Sequence, residues 1–352
     1  MKPLRIFVVD DSAVARVLLR HWLHGFDGVE IVGEARSGRE ALERVPSSAA
    51  DLVIMDVVMP GMDGLAVTEE LMATHAKPIV VMSELALRDA TLGFRALSAG
   101  ALDMMPKLTA AELADEATRR AFVRKLRMLA GVPVVTRRRR PSDRGGLARY
   151  ESGRPRFRRA DLVCIGASTG GPPALLTVLR ALARGPACPI VIVQHMSGGF
   201  IGGMARWLAD EARVSIQMAR DGEPLLAGRV YLAPDDCHTV IRGGRIALEP
   251  CLPRAGYCPS VDALFESAAR TSYVASTLGV LLTGMGADGA QGLLRLREAG
   301  AWTITQDEGT SVVYGMPRAA AELSAACEVL PIDRIASRVA VACGILEEPT
   351  ER

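Results

Sequence analysis

Short apolar runs alternate with amphipathic segments along most of the chain, at the spacing typical of α/β proteins. Five apolar runs of strand length occur in the first part, at residues 5–9, 30–35, 52–55, 79–82 and 102–105. Between them, segments 13–24 and 39–45 repeat apolar positions at helical spacing. The pattern predicts five βα units, and therefore a parallel sheet covered by helices on both faces.

A second series of apolar runs begins near residue 160. Its members are residues 162–165, 190–194, 230–233, 279–282 and 303–305. Residues 238–242 and 245–249 flank Gly243-Gly244, a spacing typical of a β-hairpin. The predicted fold class is therefore α/β, with two doubly wound parallel-sheet domains and a hairpin in the second. Such sheets bind ligands beyond the carboxyl ends of their strands, so candidate chemistry is expected just after each strand.

The segment between the two series has no hydrophobic period and is rich in Arg, Pro, Gly and Ser. From Arg137 to Arg159 it carries ten arginines against two acidic residues. We predict a first domain at residues 1–125, an Arg/Pro/Gly-rich linker at 126–159 and a second domain at 160–348. The basic run would either attract phosphates or an acidic partner, or form a soluble, self-repelling linker, and we favour the linker.

The composition of the whole chain limits its environment. Apolar residues make up 49% and aromatic residues 4% of the 352 residues, which suits Val/Ile-rich inner strands. The N-terminus enters a strand without a signal-peptide pattern, and no apolar stretch reaches about 18 uninterrupted residues, so a cytoplasmic protein is expected. The seven cysteines show no C-x-x-C pair or zinc-like spacing, and their odd number disfavours a disulfide framework. We expect reduced, mostly buried thiols.

Polar side chains follow successive strands of the first domain. Asp10 and Asp11 follow the first strand and Asp56 the third, so their carboxylates would converge at one sheet edge. A hard cation such as Mg²⁺ relieves the repulsion among them. Ser83 and Lys107, after the fourth and fifth strands, supply a hydroxyl and an ammonium suited to holding a phosphoryl group. Each residue alone could be a helix cap or a surface charge, but five at successive strand ends favour a site.

These motifs resemble a two-component receiver domain over roughly residues 3–125. The resemblance is carried by residues 8–12 (Val-Val-Asp-Asp-Ser), 55–64 (Met-Asp-Val-Val-Met-Pro-Gly-Met-Asp-Gly) and 105–107 (Met-Pro-Lys). It implies a flavodoxin-like fold and phosphorylation of Asp56 by a histidine kinase. It further implies Mg²⁺ held by Asp10, Asp11, Asp56 and the Val58 carbonyl, and phosphate sensing by Ser83 and Lys107.

Two positions depart from the usual receiver pattern. Leu108 replaces the proline that commonly follows the lysine, and Met104 stands where an aromatic switch residue is common. Phosphorylation of Asp56 is still expected with both changes. They exclude a relay that depends on the rotamer of an aromatic residue at Met104.

A candidate nucleophile follows the first strand of the second domain. Residues 166–170 read Gly-Ala-Ser-Thr-Gly, a G-x-S-x-G pattern, and a helix is predicted to open at Pro172 or Pro173. Small flanking residues permit a sharp turn that exposes the Ser168 hydroxyl, and a helix N-terminus favours developing negative charge. The same segment could instead be a phosphate- or dinucleotide-binding glycine turn.

A serine nucleophile needs a base, and the base needs an orienting acid. His195 ends the strand at 190–194 and is the candidate base, although alone it could be structural. Asp288 follows the strand at 279–282 and could orient the imidazole, but it could also cap the helix predicted from about residue 290. Asp307, after the next strand, is a rival. Met285 lies between two glycines, which leaves its backbone N–H able to approach an oxyanion.

The order Ser168, His195, Asp288 differs from that of α/β-hydrolases, in which the acid precedes the histidine. The pattern resembles the chemotaxis protein-glutamate methylesterases, through residues 166–172, 194–196 (Gln-His-Met), 283–289 and 311–317. That resemblance implies a Rossmann-like serine hydrolase domain acting on glutamate γ-methyl esters. With the receiver included, it spans nearly the whole chain.

The resemblance also assigns roles to residues. Ser168 would attack the γ-carbonyl, His195 would carry the proton, Asp288 would orient His195 and the Met285 amide would help to bind the oxyanion. Thr169 would position His195 or the substrate. Methanol would leave, and the same chemistry would deamidate glutamine.

The esterase chemistry would need no cofactor. The implied partners are a chemotaxis histidine kinase and methylated chemoreceptors. Neither membrane insertion nor nucleic-acid binding is expected.

The alternative is a response regulator with a nucleic-acid- or nucleotide-binding output domain. No helix-turn-helix pattern follows the linker, and the basic run lies between the domains. The glycine turn also lacks G-x-G-x-x-G spacing. A receiver joined to a hydrolase further suggests that phosphorylation of Asp56 gates the enzyme.

Overall fold

A computed structural model describes residues 2–24, 26, 28–83, 87–107, 115–134, 159–251 and 256–346, without the side chains of residues 83 and 87–90. The chain divides into two compact units, Met1–Ser142 and Asp143–Arg352. Most of the linker predicted at residues 126–159 lies outside the described residues, as does Leu108. Both interpretations of the basic run therefore stay open.

The first unit contains a five-stranded sheet in the order β2-β1-β3-β4-β5, with every pairing parallel. Its strands are β1 (Leu4–Val9), β2 (Val29–Ala35), β3 (Leu52–Asp56), β4 (Ile79–Ser83) and β5 (Asp103–Pro106). The helices are α1 (Ala13–Leu23), α2 (Gly38–Arg44), α3 (Gly64–Thr74), α4 (Leu87–Ala99) and α5 (Glu116–Ala130). All five strands lie within one residue of the predicted bounds.

Helix caps and an aromatic contact explain how this unit holds together. The Ser12 side chain accepts the Ala15 amide at the start of α1, so the chain leaves β1 and enters a helix within a few residues. At the other end of α1, Trp22 packs edge-on against Phe122 of α5, with ring centroids 5.2 Å apart. In the five-stranded sheet β1 pairs with β3, so the segments that follow these two strands meet at one edge of the sheet.

The second unit contains a seven-stranded sheet in the order β14-β13-β12-β6-β7-β9-β8, again with parallel pairing throughout. Its strands are β6 (Leu162–Ala167), β7 (Ile190–Gln194), β8 (Ile216–Met218), β9 (Val230–Leu232), β12 (Thr277–Leu281), β13 (Trp302–Gln306) and β14 (Glu328–Leu330). The predicted hairpin is present as the antiparallel pair β10 (Cys237–Arg242) and β11 (Arg245–Pro250). The predicted α/β class with two parallel-sheet domains is thus confirmed.

Helices cover this second sheet. They are α6 (Gly171–Arg180), α7 (Ile201–Ala212), α8 (Val261–Ala268), α9 (Ala290–Glu298), α10 (Met316–Glu322) and α11 (Ile332–Ala342). Leu264 and Phe265 of α8 are fully buried in a core shared with α9 and the inner strands. No helix in the described parts of the chain has the length and apolar character needed to cross a bilayer.

The expectation of reduced thiols is wrong for two cysteines. Cys251 and Cys258 form a disulfide, with Cα atoms 6.0 Å apart. The prediction failed because it treated the odd total as evidence against any pair, whereas Cys251 and Cys258, seven positions apart in sequence, meet the Cα spacing that a disulfide requires. Cys164, Cys188, Cys237, Cys327 and Cys343 remain as thiols.

Candidate functional site

The first unit gathers three carboxylates at the carboxyl ends of β1 and β3. Ligand oxygens of Asp10, Asp11 and Asp56 all lie within 4.8 Å of one another. Asp10 and Asp56 are buried, whereas Asp11 is exposed. Lys107 reaches in from the end of β5, and its Nζ lies 2.7 Å from Asp56 Oδ2 and 3.2 Å from Asp10 Oδ2. The oxygen set suits a hard divalent cation.

Electrostatics distinguish the central carboxylate of this cluster. Burial, with the nearby Asp10 charge, raises the pKa of Asp56 to about 6, although the Lys107 ammonium opposes the shift. Burial would lower the pKa of Lys107, but the two carboxylates outweigh it and hold that pKa above its usual value. Lys107 offsets only part of this cost of ionising Asp56, so a bound cation would further stabilise the ionised carboxylate.

Backbone contacts hold the loop that carries the acidic pair. Arg16, one turn into α1, donates from one guanidinium nitrogen to the carbonyls of Asp10 at 2.7 Å and Asp11 at 3.3 Å. The Val58 amide donates to Asp56 Oδ1 at 3.3 Å. Sequence reasoning missed Arg16, because nothing in its helical position indicates that its side chain folds back on the preceding loop. The side chain of Ser83 lies outside the described residues.

In the second unit, neighbouring strands bring Ser168 and His195 to one edge. Ala167 at the end of β6 is in register with Gln194 at the end of β7, and the His195 amide donates to the Ala167 carbonyl at 2.9 Å. The Gln194 side chain then donates to the carbonyls of Ser168 and His195, at 2.7 and 2.8 Å. The two candidate residues thus follow directly from paired positions of adjacent parallel strands.

The nucleophile turn is closely covered by the chain that follows β12. Gly170 adopts a φ of +76°, which L-residues with side chains rarely take. The Thr283 hydroxyl donates to the Thr169 carbonyl at 2.9 Å. A Cβ added to Gly284 would lie 2.7 Å from the Ser168 Cβ, so Met285 follows a residue in direct contact with the serine.

His195 and Asp288 form a close polar contact in this site. Imidazole Nε2 lies 2.8 Å from Asp288 Oδ2, and both side chains are almost fully buried. The distance is that of an ion pair, although the Nε2–H direction departs from a linear hydrogen bond. Because Nε2 faces the carboxylate, Nδ1 is the ring nitrogen on the other side. No described residue forms a hydrogen bond with it.

Asp288 is anchored by the N-terminus of α8 rather than by its own helix. Its carboxylate accepts hydrogen bonds from the Val261 amide at 2.7 Å, the Ser260 hydroxyl at 2.9 Å and the Asp262 amide at 3.1 Å. The cap of α9 is Gly289, so the structure does not show the alternative role of Asp288 as that cap. Asp307, the rival acid, instead accepts from the Thr310 amide and hydroxyl.

This anchoring controls the charge of Asp288. Burial alone would raise its pKa, but His195 and the Val261 and Asp262 amides outweigh burial and hold the pKa of Asp288 below its usual value. Burial raises the pKa of the neighbouring Asp262 to about 6, and the Asp288 charge adds to the shift. The carboxylate facing His195 is therefore the one that stays ionised.

Sequence reasoning missed two residues of this site. Ser260 caps α8 and also binds Asp288, and a serine immediately before the apolar positions of a helix is a signal that could have indicated the cap. Tyr257 stacks on His195, with ring centroids 4.7 Å apart and planes 4° from parallel. No sequence pattern indicates that contact, because Tyr257 lies in a segment without period.

Comparison with known proteins gives matches over both units. The family model described as CheB methylesterase matches residues 163–339, and the response regulator receiver domain model matches residues 6–118. "Protein-glutamate methylesterase/protein-glutamine glutaminase 4" of Geobacter metallireducens is 42% identical over 336 residues, which cover 94% of this chain and 96% of the relative. "Protein-glutamate methylesterase/protein-glutamine glutaminase 2" of Anaeromyxobacter dehalogenans is 43% identical over 335 residues, with 95% of each chain covered.

These matches bear on both interpretations of the sequence. The alternative of a nucleic-acid- or nucleotide-binding output domain finds no support, because residues 163–339 of the second unit match the methylesterase model. Identity of about 40% extends over both units, the receiver included. The chain belongs to the CheB methylesterase family, with a response regulator receiver domain ahead of the methylesterase domain.

Proposed function

We propose that the second domain hydrolyses γ-methyl esters of glutamate side chains on chemoreceptors, with Ser168 as nucleophile, His195 as base and Asp288 as orienting acid. The observation that carries the proposal is the 2.8 Å contact between His195 Nε2 and Asp288 Oδ2, one strand away from the serine turn. Three chain segments that are distant in sequence supply the three groups that a serine hydrolase requires. The partner class and the residue roles belong to this proposal.

In the acylation step, the Ser168 oxygen attacks the ester carbonyl carbon while His195 accepts the hydroxyl proton. With Nε2 facing Asp288, the nitrogen that takes the proton is Nδ1. The Asp288 carboxylate stabilises the resulting imidazolium. The bond between the carbonyl carbon and the methoxy oxygen then breaks, and the imidazolium returns the proton to methoxide, which leaves as methanol.

In the deacylation step, water takes the place of the serine hydroxyl as the nucleophile. His195 takes a proton from water, the hydroxide attacks the acyl carbon, and the serine oxygen leaves with the proton held by the imidazolium. The product is the carboxylic acid of the glutamate side chain, which releases one proton to solvent and becomes the carboxylate. Attack on a glutamine carboxamide would follow the same course with ammonia as the leaving group, in agreement with the second activity in the names of the relatives.

The negative charge on the carbonyl oxygen needs donors in both steps. We assign one of them to the Met285 amide, because the preceding Gly284 packs against Ser168 and the following Gly286 has a φ of +85°. Loss of a single oxyanion donor typically costs about 10²- to 10³-fold in turnover. Thr169, whose carbonyl accepts a hydrogen bond from the Thr283 hydroxyl, would position His195 or the substrate.

The first domain would receive the signal. Asp56 would accept a phosphoryl group from a chemotaxis histidine kinase, and Asp10, Asp11, Asp56 and the Val58 carbonyl would hold Mg²⁺. When bound, the cation neutralises charge on the phosphoryl oxygens. Lys107, 2.7 Å from Asp56 Oδ2, is placed to pair with the phosphate, and Ser83 would supply a hydroxyl.

Phosphorylation of Asp56 would gate the hydrolase. The added charge would shift the equilibrium between a less active and a more active state of the chain by a few kcal/mol. The test compares ester hydrolysis by the full chain, the phosphorylated chain and residues 152–352. Faster hydrolysis by the phosphorylated chain and by the fragment supports gating, and equal rates in all three refute it. A cytoplasmic location, where the kinase and the receptor tips meet, is part of the same proposal.

The decisive test of the chemistry is methanol release from methylated receptor membranes. The wild-type chain should release methanol, and Ser168→Ala should lower the rate by at least about 10³-fold. Labelling by a fluorophosphonate probe should be lost in the same variant. Retained methanol release by Ser168→Ala would overturn the assignment.

A further inference from the structure

Tyr257 covers one face of the imidazole of His195. The two rings are parallel to within 4°, with centroids 4.7 Å apart. The histidine side chain is only 10% exposed, whereas Tyr257 is 44% exposed. The tyrosine therefore separates the imidazole from solvent and leaves its own outer surface open.

A second contact ties the same tyrosine to the loop that carries Met285. A Cβ added to Gly286 would lie 2.3 Å from the Tyr257 hydroxyl oxygen, so this hydroxyl occupies space that only a glycine leaves open. Gly286 also adopts a φ of +85°. Tyr257 thus touches the residue after the proposed oxyanion donor and the proposed base at the same time.

The chain directly after Tyr257 is held at two points. Cys258, the next residue, is disulfide-bonded to Cys251, and Ser260 begins α8 while binding Asp288. The base, its acid and the tyrosine are therefore joined through one short stretch of chain. A side chain attached here can keep a constant position against the imidazole.

We propose that Tyr257 is a positioning residue for His195, which holds the imidazole plane in the orientation that presents Nε2 to Asp288 and Nδ1 to Ser168. The inference rests on the proposed Ser168–His195–Asp288 mechanism. Asp288 holds the ring at Nε2, but Nδ1 has no hydrogen-bond partner among the described residues, so polar contacts alone do not fix the rotation of this ring. Stacking on a parallel aromatic ring restricts that rotation instead. The electron-rich face also favours the imidazolium formed during acylation.

Two variants of Tyr257 test the role of its ring separately from the role of its hydroxyl. Tyr257→Phe keeps the stacked surface, and Tyr257→Leu removes it while keeping an apolar side chain. Leu226→Ala, at a 42% exposed residue before β9, controls for the loss of an exposed apolar side chain. Methanol release from methylated receptor membranes would be measured for full-length chains, with Ser168→Ala and His195→Gln in parallel.

We expect Tyr257→Leu to lower kcat by about tenfold with KM changed less than twofold, because the ring acts on the base rather than on substrate affinity. Tyr257→Phe should stay within about twofold of the wild type. Circular dichroism would check the fold, and if Tyr257→Leu is unfolded, Tyr257→Met replaces it with the same expectation. A kcat within twofold of the wild type for the non-aromatic variant, or an equal loss for Tyr257→Phe, would overturn the inference. If Ser168→Ala and His195→Gln keep activity, the proposed function itself fails.

Discussion

The carboxylate of Asp288 accepts the amide hydrogen of Val261 at 2.7 Å, so a residue from the loop before α9 occupies the N-terminus of α8. The same oxygen lies 2.8 Å from His195 Nε2. A helix N-terminus stabilises negative charge, and here it keeps ionised the carboxylate that faces the base. The position of α8 is therefore coupled to the orientation of the imidazole.

Replacement of Asp288 by Asn tests this arrangement. Asp288→Asn removes the charge that stabilises the imidazolium and can present an amide N–H towards the Val261 amide. We expect kcat for methanol release to fall by about 10²- to 10⁴-fold. Asp307→Asn is the control, because the Asp307 carboxylate binds Thr310 of its own loop, and it should stay within about threefold. Equal losses in the two variants would contradict the assignment of Asp288.

Ser260 offers a prediction that separates catalysis from stability. Its hydroxyl caps α8 by accepting the Ala263 amide at 3.3 Å, and it donates to Asp288 at 2.9 Å. Ser260→Ala should lower the free energy of unfolding by about 1 kcal/mol and kcat by about tenfold. Ser37→Ala removes a cap of the same length, 3.3 Å to the Glu40 amide, from a helix of the receiver. That control should lose similar stability without losing methylesterase activity in the unphosphorylated chain.

Much of the fold could be predicted because the inner strands are fully buried and bounded by turn residues. β8 and β14 were not predicted. Each has three residues that are no better than half-buried and lies at an edge of the sheet, so neither shows the continuous apolar run of an inner strand. Their existence depends on pairing with β9 and β13 rather than on local sequence.

The site residues that stand at the ends of strands could be predicted from the sequence. Asp56 ends a buried strand, and Ser168, His195 and Asp10 stand directly after buried strands. Parallel pairing brings such positions together. Asp288 stands further into its loop, and its anchoring depends on Ser260 and α8, which a different part of the chain supplies. The stacking of Tyr257 and the Cys251–Cys258 bond join residues that lie outside helices and strands. Contacts of this kind have no periodic signal in a single sequence.

Gly284 provides a steric test of the nucleophile turn. An added Cβ would lie 2.2 Å from the Met316 Sδ and 2.7 Å from the Ser168 Cβ, so Gly284→Ala must displace one of them. We expect at least about a 10²-fold loss of kcat, since small displacements of catalytic groups are costly. Gly202→Ala is the control, because the space around Gly202 in the first turn of α7 is open and alanine has a higher helix propensity than glycine. The control should keep full activity, and a fully active Gly284→Ala would show that the turn tolerates movement.

Asp56 makes the stability of the receiver depend on pH. Its folded pKa of about 6 lies above the unfolded value near 4, so the native state binds more protons in that window and loses stability as the pH rises through it. In EDTA at pH 7.5, Asp56→Asn should therefore stabilise the receiver by about 1–2 kcal/mol, a figure reduced for solvent screening. Hydrogen exchange at β1 and β3 amides would measure the change. Asp11→Asn, at the exposed member of the cluster, should give a smaller effect, and a destabilised Asp56→Asn would contradict the prediction.

The Cys251–Cys258 disulfide should affect catalysis through Tyr257. The bond closes a loop with a sequence separation of 7 and directly follows the tyrosine, so cleavage increases the number of conformations open to the ring. Dithiothreitol, which supplies the two electrons and two protons needed, should lower kcat of the wild-type chain by about three- to tenfold, and reoxidation should restore it. Tyr257→Leu already lacks the stacked ring, so its kcat should be unchanged by dithiothreitol. A similar loss in both chains would show that the disulfide acts on the site by a route other than the tyrosine.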